Sequence, residues 1–286
     1  GITDHFFTRR RAALTATTGC CTESRSPILN GDRTMTHSAL VMNNHLLPER
    51  LLDDIALAIK THSSIPPLPK GITVEDAYAA LPHLVKRVTD DRPGGLKAGV
   101  TNTDIQAFLG LDEALLGMLY DFSAASDGLD LPFVKGRKIE CEMGIRLNAD
   151  GSPLAVGPAV ELVNLDFSEP EDLTAGNLVL CNMGTDRFIL GNMTPWDQFD
   201  FSLLTEVEIT VLHDGKTRLT TSPLDSFGGP QSALDWCVSK SALLKLPITQ
   251  NCVLLTGTCG AALPGEPGHY EVNYGALGSI KFSITN

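Results

Sequence analysis

Three glutamates carry the clearest chemistry in this chain. Glu140 and Glu142 stand in Lys138-Ile139-Glu140-Cys141-Glu142, where an extended backbone points both carboxylates to one face. Like charges so placed repel unless a cation lies between them. Glu161 sits in Pro158-Ala159-Val160-Glu161-Leu162-Val163, an apolar run whose one acid is expected to be buried. A buried, unpaired charge is costly. Three carboxylates suit a hard divalent ion, with water or substrate completing an octahedron. On spacing alone a plainer reading stays open: Glu140 and Glu142 on a solvated strand face, and Glu161 paired with an arginine.

Lys97 lies among glycines in Pro93-Gly94-Gly95-Leu96-Lys97-Ala98-Gly99-Val100-Thr101. The G-x-x-x-x-G-K-[ST] spacing of a phosphate loop is absent. Such a lysine can stabilise a developing oxyanion or move a proton, or it can be a surface residue of a loop. Asp121 closes Gly117-Met118-Leu119-Tyr120-Asp121, where it reads either as a helix cap or as a base. His62, His83, His213 and His269 are isolated, so none is expected as a metal ligand.

The elements that must hold these groups change character along the chain. Leu47, Leu51, Leu52, Ile55, Ala56 and Ile59 fall on one helical face. Thr73 with Asp76 gives an N-terminal capping pattern, followed by the stripe Ala77, Leu81, Leu84 and Val85, with Pro82 as a possible kink. A short helix is predicted over 103–108 and a longer one over 232–244. Strand content is predicted over 139–147, 159–165, 178–181, 187–190, 206–212, 218–221, 252–256, 269–274 and 278–284. Asp214-Gly215 supplies the positive φ of a hairpin turn. The expected class is α+β: a leader or disordered segment over 1–40, a helical part over 41–90, and a β-rich catalytic domain over 91–286.

Composition narrows the function further. Lys plus Arg is 22 and Asp plus Glu is 34, a net charge of −12. That argues against a general nucleic-acid partner, which needs basic surface to release counterions. No apolar run reaches the ~18 residues of a membrane span. Seven cysteines, with no C-x-x-C pair, fit reduced thiols in a cytoplasmic protein. Residues 15–34 are polar and aperiodic. Arg9, Arg10 and Arg11 suit a transit peptide, but Asp4, Glu23 and Asp32 do not.

Taken in order, Gly-x-Lys-x-Gly-Val-Thr (95–101), Gly-x-Leu-x-Asp (117–121), Glu-x-Glu (140–142) and Pro-Ala-x-Glu (158–161) resemble the 2-oxopent-4-enoate hydratase and 4-oxalocrotonate decarboxylase family. This family lies within the fumarylacetoacetate hydrolase superfamily. Gly228-Gly229-Pro230 and Val253 to Thr258 extend the resemblance. It implies a β-rich fold, Mg²⁺ or Mn²⁺ on Glu140, Glu142 and Glu161, Lys97 and Asp121 as the proton-handling pair, and substrate contacts at Asn182 and Thr258. The implied substrates are small 2-oxo or 2-hydroxydienoic acids from meta-cleavage of aromatic compounds. The expected reaction is hydration of 2-hydroxypenta-2,4-dienoate-type acids, with decarboxylation of 4-oxalocrotonate as the alternative. A non-catalytic relative that binds a pathway partner, an aldolase or a dehydrogenase, is a third expectation. A homo-oligomer is expected. The chain departs from the family pattern at Cys181-Asn182-Met183-Gly184, where many relatives have Asp-Asn-Ala-Ser, and at Gly229, where a histidine is usual.

Overall fold

A computed structural model describes residues 39–42, 45–90 and 93–286. The leader expected over 1–40 lies outside the described residues except at its last two. Those open a hairpin of β1 (Ala39–Met42) on β2 (His45–Pro48). Helices α1 (Glu49–Thr61) and α2 (Val74–Thr89) follow where the apolar stripes place them. Their buried faces carry Leu52 and Ile55, then Ala77, Leu81 and Leu84. Thr73 caps α2 by accepting the Asp76 N–H at 3.0 Å, and Pro82 lies inside the helix without ending it.

The rest of the chain is mostly strand. β3 (Pro93–Gly99), α3 (Thr103–Leu109), β4 (Leu115–Tyr120), β5 (Ala124–Ala125) and β6 (Leu129–Pro132) lead into the two longest strands. These are β7 (Arg137–Leu147) and β8 (Pro153–Asn164). Then come α4 (Ala175–Leu180), β9 (Arg187–Leu190), β10 (Thr194–Pro195), β11 (Ile209–His213), β12 (Lys216–Thr221) and α5 (Pro230–Leu244). The chain closes with β13 (Cys252–Leu255), β14 (Leu263–Pro264), β15 (Gly268–Asn273) and β16 (Ser279–Thr285).

Two mixed sheets result. The larger runs β4-β3-β13-β7-β8-β9-β5, with β10 added to β8 and β14 to β7. The smaller runs β12-β11-β15-β16-β6. Buried side chains of α1, α2 and both sheets form one continuous apolar cluster. The architecture is the β-rich α+β class expected from the sequence.

Three segments depart from the expected elements. Residues 178–181, read as a strand, end helix α4 and its cap. All four are buried, and a short run of buried residues carries no period that separates helix from strand. The Thr174 hydroxyl decides the matter locally by accepting the Asn177 N–H at 3.2 Å. Residues 94–99, read as a loop, are strand β3. Gly95 is needed there because its φ is +144° and a Cβ would collide with the Val253 carbonyl of the neighbouring strand. Residues 117–120 belong to β4, buried at every position, so Asp121 follows a strand and caps no helix.

Candidate metal centre

β7 and β8 pair antiparallel in a register that sets Glu140 opposite Glu161 and Glu142 opposite Ala159. Residues opposite one another share a face, so the alternation that aligns Glu140 with Glu142 also brings Glu161 to them. One ligand atom from each of the three lies within 4.8 Å of the others. Oxygens on opposite sides of a hard divalent cation stand about 4–5 Å apart. Glu142 and Glu161 are fully buried, whereas Glu140 is half-buried.

Lys97 reaches this cluster from a distant strand. In sheet order β3 is three strands from β8, which is about 14 Å across a flat sheet. Lys97 Nζ nevertheless lies 2.6 Å from Glu161 Oε1. The sheet is therefore strongly curled, and Lys97 and the glutamates meet on its inner face. Lys97 is 2% exposed, so its stem is sealed as well. Its ammonium also donates to the Met183 carbonyl at 3.4 Å.

The electrostatics leave this site short of positive charge. Three carboxylates against one ammonium give 3 − 1 = 2 excess negative charges, which a divalent cation would neutralise. Burial, then the charges of Glu161 and Glu140, push the Glu142 carboxyl well above the usual range. Burial also raises Glu161, with Lys97 pulling the other way. Glu142 Oε1 and Glu161 Oε2 are buried and accept no hydrogen bond from the described residues. Buried polar atoms are rarely left so, and two carboxylate oxygens facing one point fit a cation. The donor set is all oxygen, as Mg²⁺ and Mn²⁺ prefer.

The remaining candidates fall in different places. Thr258 is half-buried and follows Gly257, whose N–H donates to Glu142 Oε2 at 2.7 Å, so it adjoins the centre. Asn182 is buried at the turn Asn182–Gly184, but its carboxamide is committed to the backbone. Its Oδ1 accepts the Met118 N–H at 2.9 Å, and its Nδ2 donates to the Met118 carbonyl at 2.7 Å. It thus closes the free edge of β4 as a neighbouring strand would.

Asp121 is not brought to Lys97. Lys97 is in register with Gly117, and Asp121 lies four residues further along, about 13 Å. It lines a separate pocket of about 400 Å³ with Arg146 and Asn251. The buried residues Leu119, Ala159, Phe188, Val253 and Leu255 form an apolar belt on the inner face between that pocket and the carboxylates.

Sequence reasoning missed several supports of the site. The Tyr274 hydroxyl is inserted between the two long strands. It accepts the Glu142 N–H at 3.3 Å and donates to the Ala159 carbonyl. Val100, Asn182 and Met183 all have positive φ near the site, an uncommon conformation for residues with a Cβ. The role of Tyr274 and the backbone conformations of Val100, Asn182 and Met183 carry no sequence signal, because each depends on contacts distant in the chain.

No family model matches the chain. A 2-keto-4-pentenoate hydratase of Burkholderia vietnamiensis is 25% identical over 217 residues, covering 70% of this chain and 81% of the relative. The corresponding hydratase of Paraburkholderia phymatum is 24% identical over 250 residues, covering 80% and 94%. Among solved structures, 4-oxalocrotonate decarboxylase from Pseudomonas putida, complexed with magnesium and adipate, superposes with a TM-score of 0.73. Its sequence identity is 22%, with 82% of this chain and 96% of that one covered. The curled mixed sheet with carboxylates on its inner face is thus the fold of a fumarylacetoacetate hydrolase-like protein. In sequence, the chain is similar to 2-keto-4-pentenoate hydratases at about a quarter identity over most of its length.

Proposed function

We propose that this chain is a divalent-metal-dependent hydro-lyase of 2-hydroxypenta-2,4-dienoate-type acids, giving 4-hydroxy-2-oxo acids. The observation that carries the reading is the buried trio Glu140, Glu142 and Glu161, with two carboxylate oxygens unpartnered and one lysine beside them. The names of the curated hydratases support the reaction, and the magnesium complex of the solved decarboxylase supports the metal. When bound, Mg²⁺ or Mn²⁺ supplies Lewis acidity at an enolate oxygen.

The chain's own residues supply the rest. The Gly257 N–H and the Tyr274 hydroxyl fix Glu142 and its backbone. The apolar belt of Leu119, Phe188 and Leu255 keeps bulk water from the inner side. Lys97 holds a proton at Nζ within reach of Glu161, and so serves as the group that gives or takes a proton at a substrate carbon. Because the chain carries −12 overall, Lys97 and the cation must together attract an anionic substrate.

Decarboxylation of a 4-oxalocrotonate-type acid is a second reading, favoured by the position of Asp121. With Asp121 remote, Lys97 and Glu161 form the proton-handling pair. One such pair is enough for a decarboxylation, which returns one proton to carbon. Incubation with each substrate and Mg²⁺ separates the two. Loss of dienoate absorbance without CO₂ supports hydration, and CO₂ release from oxalocrotonate supports decarboxylation. Inactivity on both refutes the enzyme reading in favour of a binding role.

A further inference from the structure

We propose that the ligand's chain leaves the metal centre along β7 towards Lys138, and that Lys138 binds a second carboxylate there. Lys138 thereby selects dicarboxylic over monocarboxylic 2-oxo acids, which favours the 4-oxalocrotonate-type acid of the second reading over a monocarboxylic dienoate. This rests on the reading of the centre as a 2-oxo acid site.

The inward route is closed. Gly99 and Gly117 leave a trough on the inner face beside Lys97, and Met183 fills it. A Cβ at Gly99 would stand 2.5 Å from Met183 Sδ, and one at Gly117 would stand 2.7 Å from its Cε. The same point at Gly117 is 3.2 Å from Lys97 Cγ, so the Met183 methyl packs beside the lysine stem. On the side towards Arg146, the buried side chains of Leu119, Val253 and Leu255 pack together beside Lys97.

In the other direction, β7 leads from the buried centre towards the surface. Along one face of β7, Glu142 is fully buried while Glu140 and Lys138 are half-buried. Lys138 shares that face, two residues beyond Glu140. Its partners across the ladders are Val163 on β8 and Pro264 on β14, neither of which carries charge. Among the described residues Lys138 makes no ion pair. The acid beside it on that face is Glu140, whose carboxylate is a candidate cation ligand.

A half-buried lysine without a counter-ion, at the rim of the proposed 2-oxo acid site, is suited to a carboxylate. Its Cα lies about 7 Å from that of Glu140, a distance that a dicarboxylic chain of roughly five or six carbons spans. The proposal thus distinguishes Lys97, which touches the reacting end of the ligand, from Lys138, which holds the far end.

The test is calorimetric titration of the Mn²⁺-loaded protein with pyruvate, 2-oxopentanoate and 2-oxoglutarate. The expected result is that 2-oxoglutarate binds about tenfold more tightly than 2-oxopentanoate. Lys138→Met should bring that ratio close to one, and Lys138→Arg should restore most of it. Equal affinities in the unmodified protein, or a preference that survives Lys138→Met, would overturn the role of Lys138 alone. If the unmodified protein binds Mn²⁺ but not pyruvate, the 2-oxo acid reading fails and this inference fails with it.

Discussion

Strand β7 carries a buried charged cluster on each of its faces, and the two are built to opposite rules. On the outer face, Arg137 donates from Nη2 to Asp186 at 2.7 Å, and His62 meets the other Asp186 oxygen at 3.0 Å. Burial alone would raise the Asp186 carboxyl. His62 and Arg137 outweigh it and hold that carboxyl below its usual range. On the inner face, three carboxylates share one ammonium, and burial raises Glu142 and Glu161. The outer cluster is electrically complete as folded and ties α1 to the chain after the Asn182–Gly184 turn. The inner one is short of positive charge. The difference teaches how to tell a structural ion pair from a binding site on one strand: count the charge that the protein itself fails to match.

The sharpest way to break this contrast is through the two cations. Lys97→Met keeps the apolar stem and removes the proton carrier. It should lower kcat by roughly 10²–10⁴-fold while Mn²⁺ binding persists, as turnover and titration with the metal would show. Excess Mg²⁺ should not rescue it. Arg137→Met should leave the inner cluster intact but strand Asp186. A loss of about 3–5 kcal/mol in urea denaturation is expected, with Mn²⁺ affinity retained in the fraction that folds.

A smaller effect follows from pH. The folded value of Asp186 is depressed, so its contribution is fully present above the unfolded value of about 4. It is lost as pH falls through the folded value. The stability gap between the unmodified protein and Asp186→Asn should therefore be widest near neutrality and shrink in acid. Denaturation midpoints measured across that range check this. A gap that widened in acid would mean Asp186 is not held by Arg137 and His62.

How much of this was legible in the sequence depends on distance along the chain. The Glu140 and Glu142 pair was readable because a strand has a period of two. Glu161 was readable because an acid in an apolar run needs a partner. The meeting of Lys97 with Glu161 was not, since it depends on how far the sheet curls. Asp121 was placed with Lys97 by motif order, yet the run before it is buried throughout, and such a run does not reveal whether it is strand or turn. The outer cluster was invisible because His62 and Asp186 are 124 residues apart. His62 read as an isolated residue for the same reason.

The account rests on the inner cluster being a cation site rather than a structural one, and thermal melting of Glu142→Gln tests this most directly. The glutamine oxygen can still accept the Gly257 N–H, while the charge repelled by Glu161 and Glu140 is gone. In chelator the variant should melt at or above the unmodified protein. Added Mn²⁺ should raise the melting temperature of the unmodified protein and leave the variant where it was. If Glu142→Gln melted well below the unmodified protein in chelator and yet kept the full Mn²⁺ shift, the three glutamates would be a structural cluster and the metal would bind elsewhere.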